Sequence, residues 1–448
     1  MQQIASALVD LLIKSILSND QLAVEMYLRD GGDVDATAIH SVKDQYSTYQ
    51  VKPGDSILTV AVRNNKIEIV RLLIEKANIE ISNKKGATAV MVASNKGHVD
   101  ILNMLISRGA DINKQDKDGK SSLMHSCVAG TTDVTTILLA KHANVNMQDE
   151  IGVTALMFAS MDEFTDRIDI VTLLVAHGAD VNAVDKHGQT ALIFASESGN
   201  LKTARLLIDH HADVSVQQVD GLSALLYASI NGHLEIVKLL VENGAAIDTQ
   251  QHDGSSALML AAENNHVAIV EYLLAHKANI TFQDDEGLNA LMMASAQGNK
   301  EIVDLLLQQN ADPNLVDHQC ATALMHACMH DDNDYDQVVS ILLEHGANAN
   351  ATDKHGQTAL IFASESGHLN TVKLLLQQHA DVNLLQVDGM SALLYAAQNG
   401  NEEIVEILLQ NGADVNKQQN EGHSLTHSLT HSLTHSLTHR SYRVDQSY

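Results

Sequence analysis

The stretch DKHGQTALIFASESG at Asp185–Gly199 returns letter for letter at Asp353–Gly367, 168 residues further on. Its reading starts from Gly188. Two positions later stands Thr190, a residue type whose side-chain oxygen satisfies an orphan amide at a helix start. Leu192 and Ala195, four and seven positions after the glycine, fall on one face of a short helix. A turn follows at Gly199-Asn200. The corresponding turns elsewhere lead into second amphipathic segments such as HLEIVKLLVENGAAID or NKEIVDLLLQQNADPN, whose Ile-Val and Leu-Leu pairs recur at helical spacing. A GAD-like ending stops each of these segments.

The same frame covers most of the chain. Marker glycines stand at Gly54, Gly86, Gly119, Gly152, Gly188, Gly221, Gly254, Gly287, Gly356, Gly389 and Gly422, with Cys320 in one glycine slot; the spacing is 33 residues with two units of 36 and one of 32. Two positions after each marker stands Ser, Thr or Asn. Each unit therefore reads as helix, tight turn, helix and an extended VN-x-x-D-x-x-G hairpin. A unit of this size cannot bury its apolar face alone, and only stacking on neighbours does so. Periodicity by itself predicts an all-α solenoid.

These residues resemble the ankyrin-repeat family. The likeness rests on the 33-residue period, the G-x-[ST]-x-L-x-x-A helix start, the "GH" turn and the "GADVN" ending. It implies stacked helix-turn-helix units joined by hairpin-like loops. The expected organisation is an N-terminal capping half-repeat at 1–36, an expanded hairpin loop at 37–53, about eleven repeats at 54–421 and a low-complexity tail at 422–448. One departure is systematic: the family's T-P-L-H appears as TALM, TALI or SALL. Alanine forms helix well but does not pre-set φ as proline does. Loss of the family's histidine also removes hydrogen bonds that tie neighbouring units. The resemblance further implies that Asn182, Asn383 and Asn416 are of the kind hydroxylated in other ankyrin-repeat proteins.

A block of five units is duplicated with a period of 168 residues. It reads either as a plain duplication or as two copies of a partner site. Three places break the regularity. Thr37–Lys52 carries Tyr46 and Tyr49, which suit either a partner anchor or an unstructured loop. MDEFTDRID surrounds Phe164 in a helix–helix turn, and HDDNDYDQ is its counterpart. In the latter, Asp332, Asp334 and Asp336 imitate a calcium loop, but Gln337 and Leu343 occupy the places of its glycine and bidentate glutamate; a solvated acidic turn is the expectation. The SLTH tail has the period of a translated four-base repeat, and its histidines at spacing four would make only a fortuitous metal site. With no polar C-terminal cap visible, the chain reads as a truncated version of a longer protein.

Composition narrows function. The 448 residues carry 28 Lys and Arg against 56 Asp and Glu, a formal charge of −28. Such acidity opposes nucleic acid and anionic membrane surfaces, which need clustered cations. The three cysteines Cys127, Cys320 and Cys328 have no metal-ligand spacing, which suits a reducing compartment. No run of 18 apolar residues exists, so no membrane insertion is expected and the predicted location is cytoplasmic or nuclear. Most of the 24 histidines recur at fixed slots, and no nucleotide, zinc or hydrolase motif occurs. No cofactor, metal or catalytic residue is predicted.

What remains is surface. The resemblance implies that hairpin tips and first-helix faces form a concave binding groove. Carried to this chain, its positions are Lys186, His187, Gln189, Glu197 and Ser198, and in the duplicate Lys354, His355, Gln357, Glu365 and Ser366. Between them Leu222, Ile230 and Leu288 place aliphatics in slots of exposed type, either as ordinary isolated residues or as a row that signals a partner. The expected function is a monomeric, non-enzymatic scaffold or adaptor for partner proteins, with basic or extended segments favoured by the acidity. The alternative is the recognition arm of a larger protein, such as a ubiquitin-ligase adaptor, a channel or a toxin-like protein.

Overall fold

The computed structural model describes residues 2–38, 51–162, 164–329 and 335–415. Tyr46 and Tyr49, the centre of the HDDNDYDQ turn, Asn416 and the SLTH tail lie outside the described residues. Among those described there are twenty-four α-helices and no strand. They divide into two compact bodies, Met1–Val219 and Asp220–Tyr448, each holding six helix pairs. The all-α stack of helix pairs is what periodicity predicts. Hairpin character is confined to isolated bridges such as Gln148–Thr154 and Leu385–Ser391.

Local chemistry explains each pair. The residue two after the marker caps the first helix: Ser56 accepts from Thr59 N at 3.2 Å, Thr190 from Ile193 N at 3.3 Å and Asn289 from Met292 N at 2.9 Å. Thr88 is the exception, its hydroxyl buried without a partner. The second helix then buries one stripe, as with Ile302, Val303 and Leu306 in Lys300–Gln308. Each such side chain contributes about 1.5–3 kcal/mol on leaving water.

Where the family's histidine is missing, methionine supplies part of its chemistry. The sulfurs of Met91, Met124 and Met157 each accept from the capping residue's amide at 3.4 Å. Ties between consecutive pairs come from the residue twelve after the marker. Thr131 Oγ1 donates to Ser94 O, Asn299 Nδ2 to Ala262 O and Asn401 Nδ2 to Ser364 O. Polar ties thus persist at these pairs, whereas His368 in the same slot buries both ring nitrogens without a hydrogen-bond partner.

Two regions outside the regular frame acquire detail. The N-terminal segment is a complete helix pair, Gln2–Leu17 and Gln21–Arg29, with Asp20 capping the second helix through Ala23 N. It exposes Leu8, Leu11, Leu22 and Met26. The MDEFTDRID turn is organised around Asp162, which accepts from Phe164 N at 2.9 Å and pairs with Arg167. Arg167 also donates to the carbonyls of Cys127 and Val128 at the end of the preceding first helix, where the helix dipole favours a cation. Phe164 itself is 94 % exposed.

The cysteines separate sharply. Cys127 and Cys328 are buried and Cys320 is exposed; burial pushes the Cys127 thiol up to about 12, and only the thiolate is nucleophilic. Alkylation of the native protein at pH 8 is expected to modify Cys320 and spare the other two, as read by peptide mapping. Equal labelling of all three before denaturation would contradict this packing.

Candidate partner-binding surface

The surface grows out of the hairpins. In the first body, Asp185 is buried and its Oδ1 accepts from His187 N at 2.9 Å and Gln189 N at 2.8 Å. Gly188, at φ +80°, closes the turn. This spends the backbone internally and leaves the Lys186 and His187 side chains exposed, with Gln189 half-buried. Lys186 N donates to Ile151 O at 2.9 Å, joining the tip to the one before it. The helix Ala191–Glu197 then brings Glu197 and Ser198 to its end, both half-buried.

The second body repeats the arrangement. Asp353 Oδ1 accepts from His355 N at 2.8 Å and Gln357 N at 2.7 Å, and Lys354 N donates to Gln319 O at 2.8 Å. Lys354 and His355 are exposed, while Gln357, Glu365 and Ser366 are half-buried. Tip-to-tip backbone bonds of this kind recur, as from Glu150 N to Asp118 O and from His318 N to Glu286 O.

Leu222, Ile230 and Leu288, taken from sequence as exposed-type slots, are half-buried. The large apolar residues exposed near the tips are instead Ile151, Val184 and Val219 in the first body and Val316 and Val387 in the second. Sequence reading also passed over the slot six after the marker. It holds Phe158 and Phe194 in the first body and Tyr227, Phe362 and Tyr395 in the second. All but Phe158 are half-buried. Five of the chain's 14 Phe and Tyr residues share this slot, and that recurrence was the available signal.

Electrostatics distinguishes these aromatics. Lys120 Nζ lies 4.8 Å from the Phe158 ring centroid, a cation–π contact. Burial, with Glu365 and Asp388 nearby, holds the Tyr395 phenol above its usual range despite the 2.9 Å bond from Gln386 Nε2. The asparagines of the VN loops are already engaged. Asn182 Oδ1 accepts from Asp213 N at 2.8 Å and its Nδ2 donates to His211 O at 3.1 Å. Asn383 does the same with Asp414 N and Gly412 O.

A family model described as ankyrin repeats (three copies) matches in overlapping segments at residues 11–116, 109–185, 164–251, 225–317, 291–386 and 324–419. The chain belongs to the ankyrin-repeat family. No curated protein matches it. Ankyrin repeats are usually non-catalytic and typically serve protein–protein interaction. No described helix is long and apolar enough to cross a membrane.

Proposed function

We propose that this ankyrin-repeat protein is a non-enzymatic scaffold that binds partner proteins along its hairpin tips and first-helix faces. One observation carries the reading: bonds between consecutive tips use the backbone, which leaves the side chains of Lys186, His187, Lys354 and His355 exposed on a surface already held in shape. A surface already held in shape loses little conformational entropy on binding, so modest contacts suffice. Lys186, His187, Gln189, Glu197 and Ser198 contribute in the first body; Lys354, His355, Gln357, Glu365 and Ser366 do so in the second. Phe194, Phe362 and Tyr395 supply aromatic area of the type that dominates interface energies.

Site-specific photo-crosslinking in cells tests the assignment. A crosslinker at Lys186 or Lys354 is expected to capture discrete partner proteins. One at Glu271, exposed on the second helix Val267–Ala275, is expected to capture few. Equal capture from Glu271 would place binding on the other side of the repeats.

A further inference from the structure

The chain is strongly acidic, yet its charge is unevenly placed. Twelve of the 28 lysines and arginines fall between Lys52 and Lys120, against eight carboxylates, so this stretch is net positive within a chain of −28. Its cations gather on the hairpin side. Lys52, Lys84, Lys85 and Lys117 stand on three consecutive tips, and Lys96 lies at the end of a first helix; all five are exposed. Lys120, half-buried, lies over Phe158 beside the third tip.

Geometry holds these tips together. Lys117 N donates to Lys85 O at 3.0 Å, and Lys84 N approaches Pro53 O at 3.5 Å. Of the three carboxylates on these tips two are committed, and the third, Asp118 beside Lys117, is exposed. Asp55 is fully buried against Arg63, and Asp116 accepts from His125 at 2.8 Å. Among the described residues, no salt bridge engages the ammonium groups of Lys52, Lys84, Lys85, Lys96 or Lys117.

We propose that the tips between Lys52 and Lys120 form a cationic track that binds an extended acidic segment of a partner protein. The inference rests on the scaffold reading and gives it a substrate class opposite to the one net charge suggests. Packed helices lie about 8–10 Å apart, and an extended chain advances about 3.3 Å per residue. Three tips therefore match a segment of about six or seven residues with acidic side chains near every third position. Partial desolvation lowers the Lys52 ammonium, Arg63, Lys85 and Lys96 push it the same way and Asp55 opposes them; an arriving carboxylate relieves the repulsion among the cations.

Nucleic acid fits less well. Bidentate phosphate recognition favours arginine, and the one guanidinium on this side, Arg63, is already paired with Asp55. The next tip carries Glu150, exposed, so a longer polyanion would run onto a carboxylate.

Fluorescence anisotropy of the full chain with labelled deca-glutamate tests the proposal. Saturable binding is expected in roughly 50 mM salt, weakening about tenfold near 300 mM because salt screens such contacts. The variant Lys84→Glu/Lys85→Glu/Lys117→Glu is expected to lose at least about tenfold in affinity while its thermal melt stays in place. Should charge reversal impair folding, Lys84→Gln/Lys85→Gln/Lys117→Gln carries the same expectation. The proposal is overturned if deca-glutamate does not bind, or if a folded variant binds it as well as the parent. Tighter binding of a ten-nucleotide oligouridine would also overturn it, as would self-association that the variant abolishes without any deca-glutamate binding. Photo-crosslinked partners at Lys354 together with no deca-glutamate binding would refute this inference and leave the scaffold reading standing.

Discussion

Asp55→Ala is expected to destabilise the first body by about 3–5 kcal/mol, the cost of leaving a buried charge without its partner. Asp55 is wholly inaccessible and Arg63 is 8 % exposed. The carboxylate accepts from Arg63 Nε at 2.8 Å and Nη2 at 2.9 Å, from Asn83 Nδ2 at 2.8 Å and from Lys52 N at 2.9 Å. One side chain therefore satisfies a guanidinium on its own repeat and a side-chain amide on the next. Alanine leaves the Arg63 and Asn83 donors buried without their acceptor. Removing both charges is a different experiment: Asp55→Leu/Arg63→Met exchanges a desolvated ion pair for apolar volume, which is often close to neutral. The double variant is thus expected to recover most of the loss. Because repeats open locally, hydrogen exchange of the amides in residues 51–96 is the appropriate measurement. An equal loss in the single and double variants would show that shape, and not the orphaned guanidinium, sets the cost.

That ion pair marks what can and cannot be read from the letters alone. The helix pairs were legible because their causes are local. A capping hydroxyl at Thr190, an aliphatic at Leu192 and a left-handed glycine at Gly188 each act within a few residues, and the repeat shows them many times over. The tip positions were legible for the same reason. The half-burial of Leu222, Ile230 and Leu288 was not, since a side chain's exposure depends on three-dimensional surroundings that the letters of one repeat do not carry. Asp55 and Arg63 occur together in one unit only, so no periodicity announces them, and Asn83 joins from 28 residues away. The N-terminal pair lacks the marker glycine, although Asp20 starts its second helix in the ordinary way. Net charge concealed the cationic track because a sum over the chain has no address; Lys84, Lys85 and Lys117 acquire meaning once the tips are seen to be bonded in sequence.

Gly119→Ala is expected to cost about 2–4 kcal/mol, and Gly109→Ala about 1 kcal/mol, although both glycines have nearly the same φ, +80° and +83°. The shared part is the steric cost of a left-handed backbone for any residue with a Cβ, about 1 kcal/mol. What differs is the space. A Cβ on Gly109 would meet nothing within 4 Å. On Gly119 it would lie 2.5 Å from Glu150 N and 2.9 Å from Asp149 C, in the backbone of the next hairpin. Glu150 N is also the donor of the 3.0 Å bond to Asp118 O, so relief of the clash strains the contact that joins the two tips. Overpacking of this kind adds about 1–3 kcal/mol. The chain contains one natural trial of the substitution: Cys320 occupies a marker slot at φ +61°, and Lys354 N still donates to Gln319 O at 2.8 Å. Accommodation there comes with a smaller φ. If Gly119→Ala can turn in the same way, urea unfolding will show no more loss than Gly109→Ala, and the close approach between tips will have counted for nothing. A gap of about 1 kcal/mol or more between the two variants would establish that the marker glycine is required by the neighbouring repeat as well as by its own turn.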